Sequence, residues 1–208
     1  MERNRQQWLE ERKTGIGASD AAAILGMNQW KTNVQLWQEK TGEVEPEDIS
    51  GKSVVKYGNA AESLLRELFI LDFPHYNVKY DEFKMFHNDK YPFIFATLDG
   101  WINGEKMGVL EIKTTEIMNP MQWSKWKDGI PDNYYIQCLH QLLATGYDFA
   151  VLKAQIKHGF EDVKLTTRHY FIEREDVLDD MEYLLEAEIK FWDQVQNKVK
   201  PALILPEI

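Results

Sequence analysis

Two acids and a lysine in the middle of the chain have the types and spacing of a phosphate-cleaving centre. Asp99 lies in Ala96-Thr97-Leu98-Asp99-Gly100, and Glu111 and Lys113 lie in Val109-Leu110-Glu111-Ile112-Lys113-Thr114-Thr115. Successive side chains of a strand point to opposite faces. Leu110 and Ile112 are therefore expected to face the core together, with Glu111 and Lys113 together on the other side. If the two runs pair as a hairpin, Asp99 meets Glu111 across the ladder. An Asp–Glu pair beside a lysine is a hard-oxygen cation site. Magnesium suits it, because it takes few carboxylates and fills its other positions with water and phosphate oxygens. Phosphodiester hydrolysis needs a nucleophilic water near neutral pH and relief of charge at phosphorus, and a carboxylate-held cation supplies both. Lys113 can orient that water or stabilise developing negative charge. The same Glu-x-Lys spacing also fits an ion pair on a solvated strand face, and Asp99-Gly100 alone reads as a turn. Spacing leaves both readings open.

The elements that must position these residues follow from periodicity and punctuation. A short helix is expected over Gln6–Arg12, ended near Gly15 and Gly17, and another after Ser19, whose hydroxyl reads as its N-cap. Thr32–Lys40 reads as a helix with Val34, Leu36 and Trp37 inward, and acidic 43–52, with Pro46, as a loop. Ala61, Leu64, Leu65, Leu68 and Phe69 recur at helical spacing between Val54 and Phe73, before Pro74. Strands are expected over 78–86, Phe93–Ile102 and Val109–Thr114, the last two joined around Asn103-Gly104. Helices follow at Asn119–Lys127 and Asp132–Ala144, strands at Phe149–Lys157 and Leu165–Ile172, and a long amphipathic helix at Arg174–Val199. The sum is an α/β (α+β) chain with a central mixed sheet flanked by helices.

Composition narrows the chemistry. The 208 residues suffice for one domain with a sizeable core, and no apolar run reaches membrane-spanning length. Met1–Gln7 lacks the apolar stretch of a secretory leader, so a cytoplasmic protein is expected. The single cysteine, Cys138, excludes an internal disulfide and any cysteine-built zinc or iron–sulfur centre within one chain. The histidines lack ligand spacing. The net charge of −10 runs against nucleic-acid binding, whose footprint is basic. Carboxylates gathered around cations, and bases gathered in one groove, would offset that balance.

Asp…Glu-x-Lys on adjacent strands resembles the PD-(D/E)xK nuclease superfamily. Within it the chain resembles the phage lambda exonuclease / YqaJ-type viral recombinase group. Trp8-Leu9-Glu10-Glu11-Arg12-Lys13-Thr14-Gly15-Ile16-Gly17-Ala18-Ser19 is similar to that group's N-terminal signature. Gly58-Asn59-Ala60-Ala61-Glu62 is similar to its helical glutamate motif, and Tyr134-Tyr135-Ile136-Gln137 to its later Y-x-x-Q motif. The segments keep the group's order over residues 8–141. The superfamily's proline before the aspartate is replaced by Leu98, a backbone preference rather than a ligand.

The resemblance implies a restriction-endonuclease-like core. It implies one nuclease domain over 1–208, with a helical phosphate-pocket segment over 1–50 and the core with the C-terminal helix over 51–208. Asp99, Glu111, Glu62 and the carbonyl of Ile112 would hold magnesium, two ions per site, with manganese able to substitute. Lys113 and Gln137 would organise the nucleophilic water, and Arg12, Ser19 and Thr97 would seat a 5′-phosphate. The implied activity is 5′→3′ digestion of double-stranded DNA from its ends, leaving 3′ single strands for phage-type recombination. A homotrimeric ring, a single-strand annealing recombinase as partner, the bacterial host cytosol as location and no membrane go with it. An endonuclease or junction-resolving member of the superfamily, and a catalytically silent DNA-binding module, are the alternative readings. On side-chain chemistry alone, Glu62 with Arg66 reads as a surface pair and Arg12 as a solvated helix charge. Trp123 and Trp126, three apart, read as core anchors or as a face towards DNA.

Overall fold

The β-branched and aliphatic residues between Gly108 and His158 build the sheet on which everything else is hung. A computed structural model describes residues 5–127, 129–159 and 162–205; Met1–Asn4, part of the segment read for a leader, lie outside the described residues. In chain order the first elements are α1 (Arg5–Glu11), a 3-10 turn at Arg12–Thr14, β1 (Ile16–Gly17), α2 (Ala18–Ile24), α3 (Asn33–Lys40) and α4 (Ser53–Asp72). Short strands β2 (Val78–Lys79), β3 (Met85–His87), β4 (Ile94–Thr97) and β5 (Gly100–Ile102) lead to the long β6 (Gly108–Glu116). Then come α5 (Pro120–Lys127), α6 (Asp132–Thr145), β7 (Phe149–His158), β8 (Lys164–Glu173), a 3-10 turn at Arg174–Val177 and α7 (Leu178–Gln196).

Five strands pair in the order β2-β5-β6-β7-β8, and three more in the order β1-β4-β3. β6 and β7 run parallel, as strands joined through helices do, while β5–β6 and β7–β8 are antiparallel. The result is the mixed, helix-flanked α/β architecture expected. No helix among the described residues is long and apolar enough to cross a membrane.

Helices cover both faces of the larger sheet. Leu65 and Phe69 of α4 pack on Leu110, Ile112, Phe149 and Val151. Val109, Ala150, Leu152 and Ala154 face the other way and meet Leu139, Leu142 and Leu143 of α6. Each large side chain so removed from water contributes about 1.5–3 kcal/mol. α6 is enclosed by the sheet, α2 and α7, so every residue from Cys138 to Ala144 is buried, and Gly146 ends it at φ 70°. At Gly58 α4 passes so close to β6 that a Cβ would stand 3.3 Å from Thr114 Oγ1.

Several expectations are corrected. The strand read over Phe93–Ile102 is two strands in different sheets, parted at Leu98–Asp99. Its connection to β6 spans 103–107, longer than a two-residue Asn-Gly turn. Ser19 is not the N-cap of α2: Gly17 holds that position, and its N–H donates to Asp20 Oδ2 at 3.1 Å. Leu64 and Leu68 repeat at helical spacing but are exposed, because α4 buries only the Leu65–Phe69 stripe. Trp126 is core; Trp123 packs against His158 with Arg168 over its ring.

Candidate active site

The break between β4 and β5 makes the site. Gly100 pairs with Leu110, so Asp99 stands opposite Glu111 just where the β5 ladder stops. Its carboxylate replaces the missing backbone acceptor: Ile112 N–H donates to Asp99 Oδ2 at 2.8 Å. A strand residue points its N–H and C=O to the same side. The Ile112 carbonyl therefore faces the edge that Asp99 occupies.

Glu111 faces α6 and is 2% exposed, a placement that costs several kcal/mol for a carboxylate without partners. It has three. Gln137 Nε2 donates to Oε1 at 2.6 Å, Gln141 Nε2 donates to Oε2, and Lys113 pairs with Oε1. The glutamines are four apart, one turn of α6, and so reach the same carboxylate. Burial and then the negative charge of Glu111 push the Asp99 carboxyl well above the usual range, against the pull of Lys113. Burial opposes the charge on Lys113, yet Glu111 and Asp99 outweigh it and hold the ammonium above its ordinary value. The lysine is charged and the acids crowd each other.

Glu62 enters from α4 on the same cavity wall, with Oε1 held by Arg66 at 3.0 Å. Among the described residues no three His, Cys, Asp or Glu side chains converge to ligate one ion. Glu62 is linked to the Asp99 backbone carbonyl through Arg66. Asp99, Glu111 and the Ile112 carbonyl still form the small hard-oxygen set that magnesium takes when water and phosphate complete its shell.

The N-terminal signature arrives at the other end of the cavity. Trp8 Nε1 donates to Thr97 Oγ1 at 3.0 Å, and the Arg12 guanidinium stacks over Trp8 at 4.6 Å from the ring centroid. Arg12 Nη2 reaches Ser19 Oγ at 3.4 Å, a loose contact with an exposed hydroxyl. Asp20 is held well inside, paired with Lys40 at 2.7 Å. Burial raises its carboxyl, but Lys40 and Arg12 more than reverse this and hold it below the usual range. One cavity of about 420 Å³ is lined by Arg12, Ser19 and Thr97 at one end and by Glu62, Asp99, Glu111, Lys113 and Gln137 at the other. The eight side chains proposed for metal, water or phosphate therefore face one space, and Arg5 and Arg12 place positive charge there despite the acidic total.

Residues 7–148 match the YqaJ-like viral recombinase domain. The chain belongs to that family. It is 38% identical over 210 residues to the uncharacterized protein YqaJ of Bacillus subtilis strain 168, covering 97% of this chain and 60% of that protein. The chain thus spans under two thirds of the length of this relative. The fold is similar to that of an alkaline exonuclease from Laribacter hongkongensis, with TM-score 0.71 at 17% identity over 93% of this chain and 94% of that one. The same exonuclease in complex with dAMP gives 0.66 at 18% identity and the same coverages. A phage related exonuclease from Haemophilus somnus 129PT gives 0.60 at 15% identity, over 88% of this chain and 96% of that one. At these identities the likeness is one of fold.

Four residues in or beside the cavity have contacts that sequence reasoning did not assign; Trp8 and Tyr80 line it, and Gln141 and Arg66 hold residues that do. Trp8 was read only as a signature residue, yet it carries Arg12 and anchors Thr97. Gln141 shares the Gln137 face of α6 and that spacing was its signal, though its second role on Glu111 was not visible. Arg66 was legible only as the i+4 partner of Glu62, and its approach to Tyr80 and to the Asp99 carbonyl, made through space, gave no signal.

Proposed function

We propose that this chain is a magnesium-dependent nuclease that digests double-stranded DNA from its ends in the 5′→3′ direction, leaving 3′ single strands for recombination. One observation carries the reading: a single cavity has a basic and hydroxylic end, Arg12–Ser19–Thr97, and an acidic end, Asp99–Glu111–Lys113. Arginine suits the first because its planar fork meets phosphate oxygens two at a time. A terminal phosphate seated there would hold the adjoining backbone against the acids. That arrangement suits an enzyme acting on ends rather than within a duplex.

In the mechanism, Asp99, Glu111 and the Ile112 carbonyl would hold magnesium, with manganese as a substitute and a second ion brought with the phosphate. When bound, magnesium supplies acidity to water and charge to the phosphate oxygens. Lys113, kept protonated by its two acids, places a fixed positive charge beside the scissile phosphate and stabilises the charge that develops there. Gln137 and Gln141 fix the rotamer of Glu111 through both oxygens, so the carboxylate does not reorganise during turnover. Gln137 also lines the cavity and can present its amide oxygen to a water. A homotrimeric ring and a single-strand annealing partner belong to the same proposal, and light scattering of the purified chain checks the ring.

The test is release of nucleotides from 5′-phosphorylated linear duplex with magnesium and with EDTA, for wild type, Asp99→Ala and Lys113→Ala. Wild type is expected to release nucleotides only with magnesium, to leave closed circles intact, and to lose activity with either substitution. Rapid cutting of circles would replace the end-directed reading with an endonuclease. No release from any substrate would leave a silent DNA-binding module.

A further inference from the structure

Arg66 follows Glu62 by one turn of α4, a spacing that by itself describes a solvated ion pair. The tertiary structure gives it a second task. Its side chain is only 12% exposed, and Nη1 lies 3.0 Å from Glu62 Oε1. The same nitrogen donates to the backbone carbonyl of Asp99. The guanidinium carbon stands over the Tyr80 ring, 3.5 Å from its centroid. One side chain thus ties α4 to the break between β4 and β5, the backbone whose placement decides where the Asp99 carboxylate stands.

We infer that Arg66 is a positioning residue for the cation site, fixing the Asp99 peptide and the Glu62 carboxylate relative to each other, with Tyr80 as its platform. The inference rests on reading Asp99 and Glu111 as cation ligands. Arginine fits the task because its plane stacks on an aromatic face while its edge donates; an ammonium has the donors but no plane. A half-buried carbonyl gains a charge-assisted partner, which pins the peptide. Partners that orient ligands from outside typically change metal affinity by about 10–100-fold when removed.

Removing Arg66 has two opposing effects, and their signs separate the alternatives. Loss of a positive charge beside the carboxylates draws a cation in more strongly. Release of the Asp99 peptide and Glu62 lets the ligands wander and weakens binding. If Arg66 were only a counter-charge, its removal would tighten binding; if it positions, the net change is a loss.

The experiment titrates Mn2+ into the full chain without DNA and follows the free-ion electron paramagnetic resonance signal. Arg66→Ala is expected to weaken Mn2+ binding by about 10–100-fold relative to wild type. Arg66→Lys recovers part of the loss, Tyr80→Phe binds as wild type, and Tyr80→Leu falls between. With DNA present, the Mg2+ concentration for half-maximal turnover rises in Arg66→Ala while KM for DNA ends holds, a split that a general folding defect does not produce. Unchanged or tighter Mn2+ binding by Arg66→Ala overturns the inference. Should Arg66→Ala fail to fold, wild-type affinity in both Arg66→Lys and Tyr80→Leu overturns it, since both keep a cation or the arginine itself. The underlying reading is scored separately: wild type that binds no Mn2+, or Asp99→Ala that binds as wild type does, removes the cation site itself and the inference with it.

Discussion

Glu188→Gln is the perturbation whose size the structure defines best. His140 of α6 and Glu188 of α7 are both fully buried. His140 Nε2 meets the carbonyl of Phe95 at 2.8 Å, an acceptor only, so this nitrogen carries a hydrogen. Nδ1 meets Glu188 Oε1 at 2.5 Å, and Glu188 Oε2 has no partner among the described residues. The contact therefore shares one proton and joins α7, α6 and β4. Burial pulls the imidazole's pKa down, but Glu188 first, with Phe95 and the more distant Asp20, raises it above the ordinary 6.5. Asp20 is itself answered by Lys40 on α3. A folded pKa raised above the unfolded value contributes stability that is complete below 6.5 and lost as pH climbs through the folded value. Breaking a buried pair by removing one partner costs about 3–5 kcal/mol. Glutamine keeps an oxygen toward Nδ1, so we expect the low end, about 3 kcal/mol. In a chain of this size that is a Tm loss of about 6–12 °C. Thermal melts of wild type and Glu188→Gln from ~pH 6 to ~pH 9.5 should show the largest gap at the acid end, shrinking as His140 loses its proton. The double variant His140→Phe/Glu188→Leu should melt close to wild type, because an apolar pair of similar volume escapes the desolvation cost. A gap under about 2 °C at ~pH 6, or one that widens with pH, would refute the reasoning.

Further outcomes follow from the same contacts. Lys113→Ala should lower turnover by about 10²–10³-fold, the usual effect of losing a positioned charge donor, measured as nucleotide release under single-turnover conditions. Trp8→Phe keeps the platform under Arg12 but loses the hydrogen bond to Thr97. The preference for 5′-phosphorylated over 5′-hydroxyl ends should shrink, and Arg12→Ala should abolish it; equal preference in both variants and wild type would remove the phosphate pocket. Asp20, whose carboxyl is held below 3.8 mainly by Lys40 once burial is overcome, contributes stability present above that value and lost as pH falls through its folded pKa. Asp20→Asn should therefore unfold at a higher pH than wild type in an acid titration followed by circular dichroism.

Much of this was legible from residue order. The period-2 runs around Glu111 and Val151 and the period-3.6 runs of α4, α6 and α7 carry strong local signals, and the helix stops at Gly146 and before Pro74 follow from backbone chemistry. Errors fell where tertiary contacts override local preference. Phe93–Ile102 reads as one strand, yet Leu98 turns into the core and Asp99 leaves the ladder to accept from Ile112. Ser19 reads as a cap, but the Gly17 N–H takes the Asp20 carboxylate instead. Leu64 and Leu68 read as core although their face of α4 is left open.

The opening trio shows where the division lies. Sequence alone determined that Glu111 and Lys113 share a strand face and that Asp99 precedes them by about a hairpin, because side-chain alternation is a property of the backbone. It could not separate a solvated ion pair from a buried centre, since both satisfy that alternation. Only the tertiary structure decided it, by packing α6 on that face, so that Glu111 lost its water and gained Gln137, Gln141 and Lys113 in exchange. The same packing brought Arg12, Thr97, Glu62 and Arg66, distant along the chain, to one cavity, a proximity that no spacing rule encodes.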